Sequence, residues 1–562
     1  MRTWLLATLC CLMSALCENC TAVESTPPTF NKDVAPIVYR SCAPCHHTGE
    51  PAPFNLITYR DVAKRSRQIA EVTKMRYMPP WPPQTGGVYP NFIGSRNLSD
   101  TDLALLQRWI SSGAIEGDAN DLPPVPHWSG EWQLGPPDLV LEMDKAYDLA
   151  ADGKDVYRNF VIPTPLMDLR YVWAVELKPG SAAVHHASLE VDRSRQSRMK
   201  AAVERSPGFP GLMAASSVMP EGQFLAWLPG KKVAVSLPGM PWILNPGTDL
   251  VLASHLHPTG RTESIRMKVG FYFTNRPPDR VATRLLVNTE LIDIPPGATN
   301  FAVENSFTLP VDCDVLAVHP HSHFLGREVE GHAELPDGTT MPLLLITNWD
   351  FNWQGDYFFH TPPKLPHGTV LRMKVTYDNS TNNPRNPNIP AARVRYGPET
   401  TNEMAELCFL LLPEHSEDAK TLDAARQQFT MQTMALGREQ QARENPNDAT
   451  AQLKLGQTRL SQGRTDEART QMERAIQLSP DLAPAHYYAG LIARMQNRLP
   501  DAEREFEITT RLDPSDAKAW GNMGFVQMAL GNIKSAREDL ERSLQIDPTL
   551  ELSRSALNQL PK

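Results

Sequence analysis

The sequence predicts a multidomain chain: a small α-helical domain, two β-sandwiches in succession and a C-terminal α-helical solenoid. Three observations carry that reading. A tight Cys42-Ala-Pro-Cys45-His46 motif lies in a helical stretch near the N-terminus, and about 290 residues from Pro126 to Pro413 alternate apolar and polar residues in short runs. Near the C-terminus, prolines, glycines and alanines recur every 34 residues. At 562 residues the chain has room for about four domains of roughly 150 residues each. The boundaries fall at 1–22, 27–122, 126–284, 285–415, 416–444 and 445–562.

Residues 1–22 read as a secretory signal peptide. Arg2 supplies a short positive region, Trp4 to Leu16 is largely apolar, and Ala15-Leu16-Cys17 is a passable cleavage site. No later stretch approaches the ~18 apolar residues of a membrane span, so the expected product is exported, periplasmic or extracellular, with no transmembrane span after signal removal. Charged residues make up 21% of the chain and the net charge is -9, with no basic stretch, which argues against nucleic acid as a partner. Most of the 50 prolines precede residue 400, as loop-rich β structure requires. Of eight cysteines, four sit in or beside the signal, leaving the Cys42/Cys45 pair and the distant Cys313 and Cys408.

The C-terminal repeat is the most regular feature. Pro446, Pro480, Pro514 and Pro548 share the 34-residue period with Gly456, Gly490 and Gly524, and with Ala468, Ala502 and Ala536. This is the tetratricopeptide period, in which small residues let two antiparallel helices pack closely. Leu550 to Leu560 reads as a capping helix, and residues 416–444 as a helical linker. Such a solenoid offers a concave surface to a protein partner.

The Cys42–His46 motif is the CxxCH attachment pattern of c-type cytochromes. Two thiols three residues apart reach both vinyl groups of one porphyrin edge, and the following imidazole lies under the iron. Residues 27–122 are therefore expected to be a cytochrome c-like domain carrying one haem c on Cys42, Cys45 and His46. Met78, held in an extended Met-Pro-Pro-Trp-Pro-Pro stretch, is the expected sixth ligand, with Met75 as the alternative.

Of fifteen histidines, seven lie between residues 185 and 323, in three groups: His185-His186, His255-Leu-His257 and His319-Pro-His321-Ser-His323. Histidine is costly to bury unless bonded, so three clusters in one β region point to metal. Period-two strands put His255 with His257, and His321 with His323, on one face. Adjacent His185 and His186 need a bulge or strand end to act together. Imidazole alone permits zinc, copper, iron or nickel, and a thioether from Met404 would favour Cu(I).

The paired histidines, the Leu-Ala-Ser-His-Leu-His-Pro segment, the HxH before Leu-Gly-Arg and the Glu-Met heading an apolar strand resemble the copper type II, ascorbate-dependent monooxygenases. That family includes the peptidylglycine α-hydroxylating and dopamine β-monooxygenases. The resemblance spans most of Pro179 to Pro413 and implies two jelly-roll-like sandwiches with one copper each, hence two coppers per chain. It implies an electron-transfer copper on His185, His186 and His255, and an oxygen-binding copper on His321, His323 and Met404, the catalytic trio. The expected reaction is hydroxylation of a C–H bond of a small organic substrate with O2. Electrons would come from the tethered haem by way of the first copper, or from ascorbate or another external reductant.

This sequence also departs from that pattern. Positions where peptide-hydroxylating relatives grip a carboxylate hold His319 and Cys408, so peptidyl-glycine is a poor substrate. Cys313 and Cys408, by strand parity, are expected either as a disulfide beside the second site or as two buried thiols. His257 and His319 are spare, as outer contacts or bystanders. Trp349, Phe351 and Trp353 read as one strand face in sandwich core. A different class of reading is a redox- or oxygen-sensing scaffold built on the repeats, and another is a copper carrier.

Overall fold

The computed structural model describes residues 26–48, 52–126, 132–211, 214, 216–227 and 233–561, and the expected signal peptide lies outside them. Among the described residues, no helix is long and apolar enough to cross a membrane. The chain is a β-rich region of several sheets, preceded by short helices and followed by a helical solenoid.

The N-terminal helices are Ala35–Ser41, Tyr59–Ala63, Ser66–Lys74 and Asp100–Ser111. Phe30, Val38, Leu106 and Trp109 are buried between the first and last of them. Ser99 caps the last helix, accepting from the Asp102 amide at 3.0 Å. The extended segment after Met78 leaves this unit and docks on the β region. Trp81 meets Tyr357 edge-on at 5.4 Å, and Phe92 lies against Phe359 at 5.1 Å. Main-chain bonds fasten it from the Gln84 amide to the Leu345 carbonyl (2.8 Å) and from the Ile93 amide to the Phe358 carbonyl (2.7 Å).

The first β unit stacks two five-stranded sheets around a core that includes Leu189, Leu250, Leu252, Val269 and Phe271. Its inner sheet joins Val156–Pro163, Asp249–Leu256 and Val184–Asp192, all antiparallel. The second unit has a five-stranded and a four-stranded sheet around Val315, Val329, Val375 and Phe409. Its strand Thr283–Asn288 pairs with Glu406–Pro413. A separate apolar cluster of Phe224, Ala282, Leu316, Ala317, Cys408 and Leu410 seals one unit to the other.

Cys313 and Cys408 are free buried thiols, the second of the two expected outcomes and not the disulfide. A register shift between Val315 and Ala317 puts Cys313 opposite Pro413 and Cys408 opposite His319. Six residues of strand then separate them, about 20 Å, beyond the ~7 Å Cα limit of a disulfide. Cys313 faces the core of the second unit and Cys408 the seal between units.

Residues Ala419–Glu444 form one helix, and it is no free linker. Leu422 enters the second core, Phe429 meets Phe307 at 5.3 Å, and a Cβ at Gly437 would collide with Glu290. Seven further helices run from Ala449 to Gln559. The periodic small residues sit where paired helices touch. Ala468, Ala502 and Ala536 are fully buried, and a Cβ on Gly490 would lie 2.9–3.0 Å from the Phe506 ring. Gly490→Val is therefore expected to lower the stability of the array by about 1–3 kcal/mol, measurable by chemical unfolding of the full chain.

Inside the array, buried His486 bonds to the Glu505 carboxylate at 2.7 Å. That bond raises the His486 pKa above 6.5; burial pushes Glu505 up, but the same bond outweighs it and leaves Glu505 below 4.5. The histidine's contribution is complete below 6.5 and fades as pH rises through its raised value. The carboxylate's is complete above 4.5 and fades as pH falls through its lowered value. Thermal melts should find the array most sensitive to His486→Gln between these limits, by about 1–3 kcal/mol, and less so at pH 8.

Candidate metal centre

The bulge that the adjacent histidines require is present. His255 pairs with His186, but Leu256 pairs with Val184, leaving His185 as the extra residue. Both side chains thereby turn to the side where His255 stands. One ring nitrogen from each of His185, His186 and His255 falls within 4.8 Å of the others. The Nδ1 atoms of His185 and His186 are 3.2 Å apart.

The third nitrogen is fixed by a residue that the sequence did not reveal. Asp155 Oδ2 bonds to His255 Nε2 at 2.7 Å, and its Oδ1 bonds to His257 Nδ1 at 2.7 Å. His255 Nδ1 is buried with no hydrogen-bond partner among the described residues. A carboxylate on one ring nitrogen makes the other a better ligand and sets the ring's orientation. Tyr157 stacks on the His255 ring at 4.5 Å from the strand behind it. His257, expected to share His255's face, shares its carboxylate instead and is itself exposed.

Burial disfavours the charged form of all three rings. His255 is lowered to about 4, His185 is lowered, and His186 is held well below its ordinary value, further depressed by His255, His185 and His321. Neutral imidazoles with clustered lone pairs are the donor set that a transition-metal ion needs.

The second group lies on the facing unit. His321 ends the strand Cys313–His321, His323 lies two residues beyond it, just before a turn, and their rings stand 5.2 Å apart at 85°. His321 Nδ1 bonds to Gln354 Oε1 at 2.6 Å and His323 Nδ1 to the Asn402 carbonyl at 3.0 Å, so both Nε2 atoms remain for a ligand. Burial lowers His323 to about 4. His321 pairs with Glu406, the last pair of that ladder, and Met404 lies two residues before Glu406. The buried Glu403 carboxylate ties the two segments together. It accepts from the amides of His323 (2.9 Å), Leu325 (2.6 Å) and Met404 (3.3 Å) and from the Ser322 hydroxyl (3.1 Å).

The spare His319 bonds to Asp356 at 2.8 Å and packs on Phe224 of the first unit. The aromatic trio is not one strand face, because the chain turns at Phe351 and Asn352. Trp349 is core, 1% exposed, and its indole donates to the His323 carbonyl at 3.1 Å. Phe351 leaves the core and stands among the histidines, 6.0 Å from His185 and 5.6 Å from His323. Asp155 and Gln354 were not singled out, and Glu403 was given no role of its own, because each acts across a long sequence gap. A polar Asn/Gln alternation at 348–354 was the one signal available for Gln354.

In the helical unit, Cys42, Cys45 and His46 form a turn after the first helix, closed by the His46 amide on the Cys42 carbonyl at 3.1 Å. Burial pushes the Cys42 thiol up to about 12, with the neighbouring Cys45 adding to it. His46 Nδ1 bonds to the Phe54 carbonyl at 3.1 Å, which leaves Nε2 as the atom able to take an axial position. Met78 is half-buried, its amide on the Val72 carbonyl at 3.1 Å, whereas Met75 at the helix end is 61% exposed.

Comparison with known proteins bears on the C-terminal helices. Tetratricopeptide repeat models match residues 435–483, 453–507 and 517–550. The C-terminal helices form a tetratricopeptide array. The array is similar to the first TPR of Spaghetti (RPAP3) bound to an HSP90 peptide, 21% identical over 20% of this chain and 89% of that one, TM-score 0.20. It is also similar to a crystal structure of MamA, 21% identical over 24% of this chain and 79% of that one, TM-score 0.23. No curated protein matches the sequence.

Removing the carboxylate behind His255 tests the cage. Asp155→Ala should weaken uptake of a transition-metal ion by the three-histidine group about 10–100-fold, read by chelator competition, with the circular dichroism spectrum unchanged.

Proposed function

We propose that the chain is an exported, copper-dependent monooxygenase that hydroxylates an organic C–H bond with O2. The observation that carries this reading is the pair of histidine groups, one presenting ring nitrogens within 4.8 Å of one another and the other two rings bonded through Nδ1, with the backbones of His323 and Met404 tied to one carboxylate, Glu403. Copper bound there would supply the one-electron and oxygen chemistry. On this reading His185, His186 and His255 hold the electron-transfer copper, and His321, His323 and Met404 the catalytic one. The first unit and the second are then the two jelly-roll-like sandwiches that the family resemblance implies.

The protein's own share of the work is positional. Asp155 and Gln354 hold His255 and His321 in one tautomer each, and Glu403 fixes the His323 turn against the Met404 segment. Phe351 fills space beside the rings and keeps water from it. His319 and Cys408 pair on the strands that carry the second group and face the seal between the units.

In the helical unit Cys42 and Cys45 would hold a haem c, with His46 and Met78, or Met75, as the side chains able to ligate its iron and set its potential. The unit's extended segment docks on the second β unit through Trp81 and Phe92, which ties the helical unit to the region that carries the histidine groups. The array would bind a protein partner. It also favours a second reading, a redox-sensing scaffold without turnover.

The deciding experiment is a metal and haem count on protein matured in a periplasm, followed by oxygen uptake. Two coppers and one haem per chain, with O2 consumption coupled to product and abolished in His323→Ala, are expected. Full metal loading without reductant-dependent O2 consumption would favour the scaffold; failure to retain copper would overturn both copper readings.

A further inference from the structure

The two histidine groups come from different β units, yet one short segment touches both. Residues Asp350 to Gln354 form a loop between two strands of the second unit, and the Phe351 ring reaches His185 of the first. The Phe351 ring stacks on His185 at 6.0 Å and 24°, and stands 6.4 Å from His321 and 5.6 Å from His323. Asn352 lies close enough to His185 to favour its charged form. Its own amide N–H and its Nδ2 both donate to Asp350 Oδ1 at 3.0 Å, which leaves its carbonyl oxygen as the complement of an imidazole N–H. Gln354 takes His321 Nδ1 at 2.6 Å through Oε1 and donates from Nε2 to the Phe351 carbonyl at 2.9 Å.

The segment is braced from behind. Arg385 pairs with Asp350 at 3.2 Å and also donates to the Trp349 carbonyl. Three of its side chains are committed to one histidine group or the other, and the backbone joining them is a turn of five residues. A shift of His185 on taking up an ion would therefore press on the Phe351 ring, which also stands against His321 and His323.

We infer that the Asp350–Gln354 turn couples the two groups, so that occupancy of the three-histidine cage raises the affinity of the His321/His323 group. Phe351 is the positioning residue. The inference rests on both groups being metal sites, and adds that they are not independent. Its physical basis is order: a turn already fixed by the first ion loses less conformational freedom when the second binds. Simple repulsion between two cations has the opposite sign and does not need the ring.

The test uses the full chain and Cu(I), with a chromophoric Cu(I) chelator as competitor. Affinity at the His321/His323 group is compared between the wild-type chain with its cage loaded and His255→Ala, in which the cage is disabled. At least about a fivefold weakening is expected in His255→Ala, the lower end of ordinary coupling. In a Phe351→Ala background the same comparison should give equal affinities, with each group still able to take one ion. Phe351→Tyr, which keeps the ring, should restore the difference. Where Phe351→Ala fails to fold, Phe351→Leu keeps most of the volume and removes the ring.

No difference in the wild-type chain, a difference of opposite sign, or one that survives loss of the ring would each overturn the coupling while leaving two metal sites in place. Absence of Cu(I) uptake at either group would overturn the metal reading and the coupling with it.

Discussion

Three imidazole nitrogens facing one another across less than 5 Å is an arrangement that neutral rings do not seek. Their lone pairs repel, and a shared proton could relieve one contact but not all three. Much of the surrounding structure is the means of holding it. The bulge at His185 turns two neighbouring side chains to one side of a sheet whose regular pleat would separate them. Asp155 occupies the outer nitrogen of His255, so that its inner nitrogen cannot turn away. Burial keeps the rings uncharged, which removes protonation as an escape.

The two groups differ in which nitrogen they offer, and the difference has consequences. In the first group Nδ1 faces inward, the atom nearer the backbone, so anything held there sits close to the strands and is enclosed by them. In the second, Gln354 and the Asn402 carbonyl occupy Nδ1, and the farther Nε2 atoms project outward. The first geometry suits a closed site that changes its ligands little, and the second a site with room for another molecule. That asymmetry arises from hydrogen bonding alone and stands whichever metal is considered.

The sequence was most legible where one chemical requirement repeats. The 34-residue period marked Gly490 and Ala502 because close helix packing demands small residues at the same place in every unit. The three histidine clusters were legible because histidine is rare in β cores, and His255 does stand beside His185 and His186. Register was not legible. One shift between Val315 and Ala317 reverses the parity that would have brought Cys313 to the side of Cys408. Residues that orient the histidines were equally hidden, since Asp155 lies 100 residues from His255 and Glu403 lies 80 from His323. Trp349 and Phe351 were read as equivalent because alternation assumes a strand; the turn between them sends one into the core and the other among the histidines.

The stretch from Asp350 to Phe359 now has two faces. Its first half, through Phe351, Asn352 and Gln354, meets both histidine groups; its second half, through Tyr357 and Phe359, receives Trp81 and Phe92 from the N-terminal segment. Asp356, between the halves, bonds to His319, two residues before His321. Trp81 in turn follows Met78 by three residues, a reach of about 10 Å even when fully extended. The helical unit therefore touches the β region on the same short stretch of chain that spans the histidine groups. An arrangement in which the helical unit served only as an independent appendage would have no need of that coincidence; one in which it communicates with the histidines requires a contact of this kind.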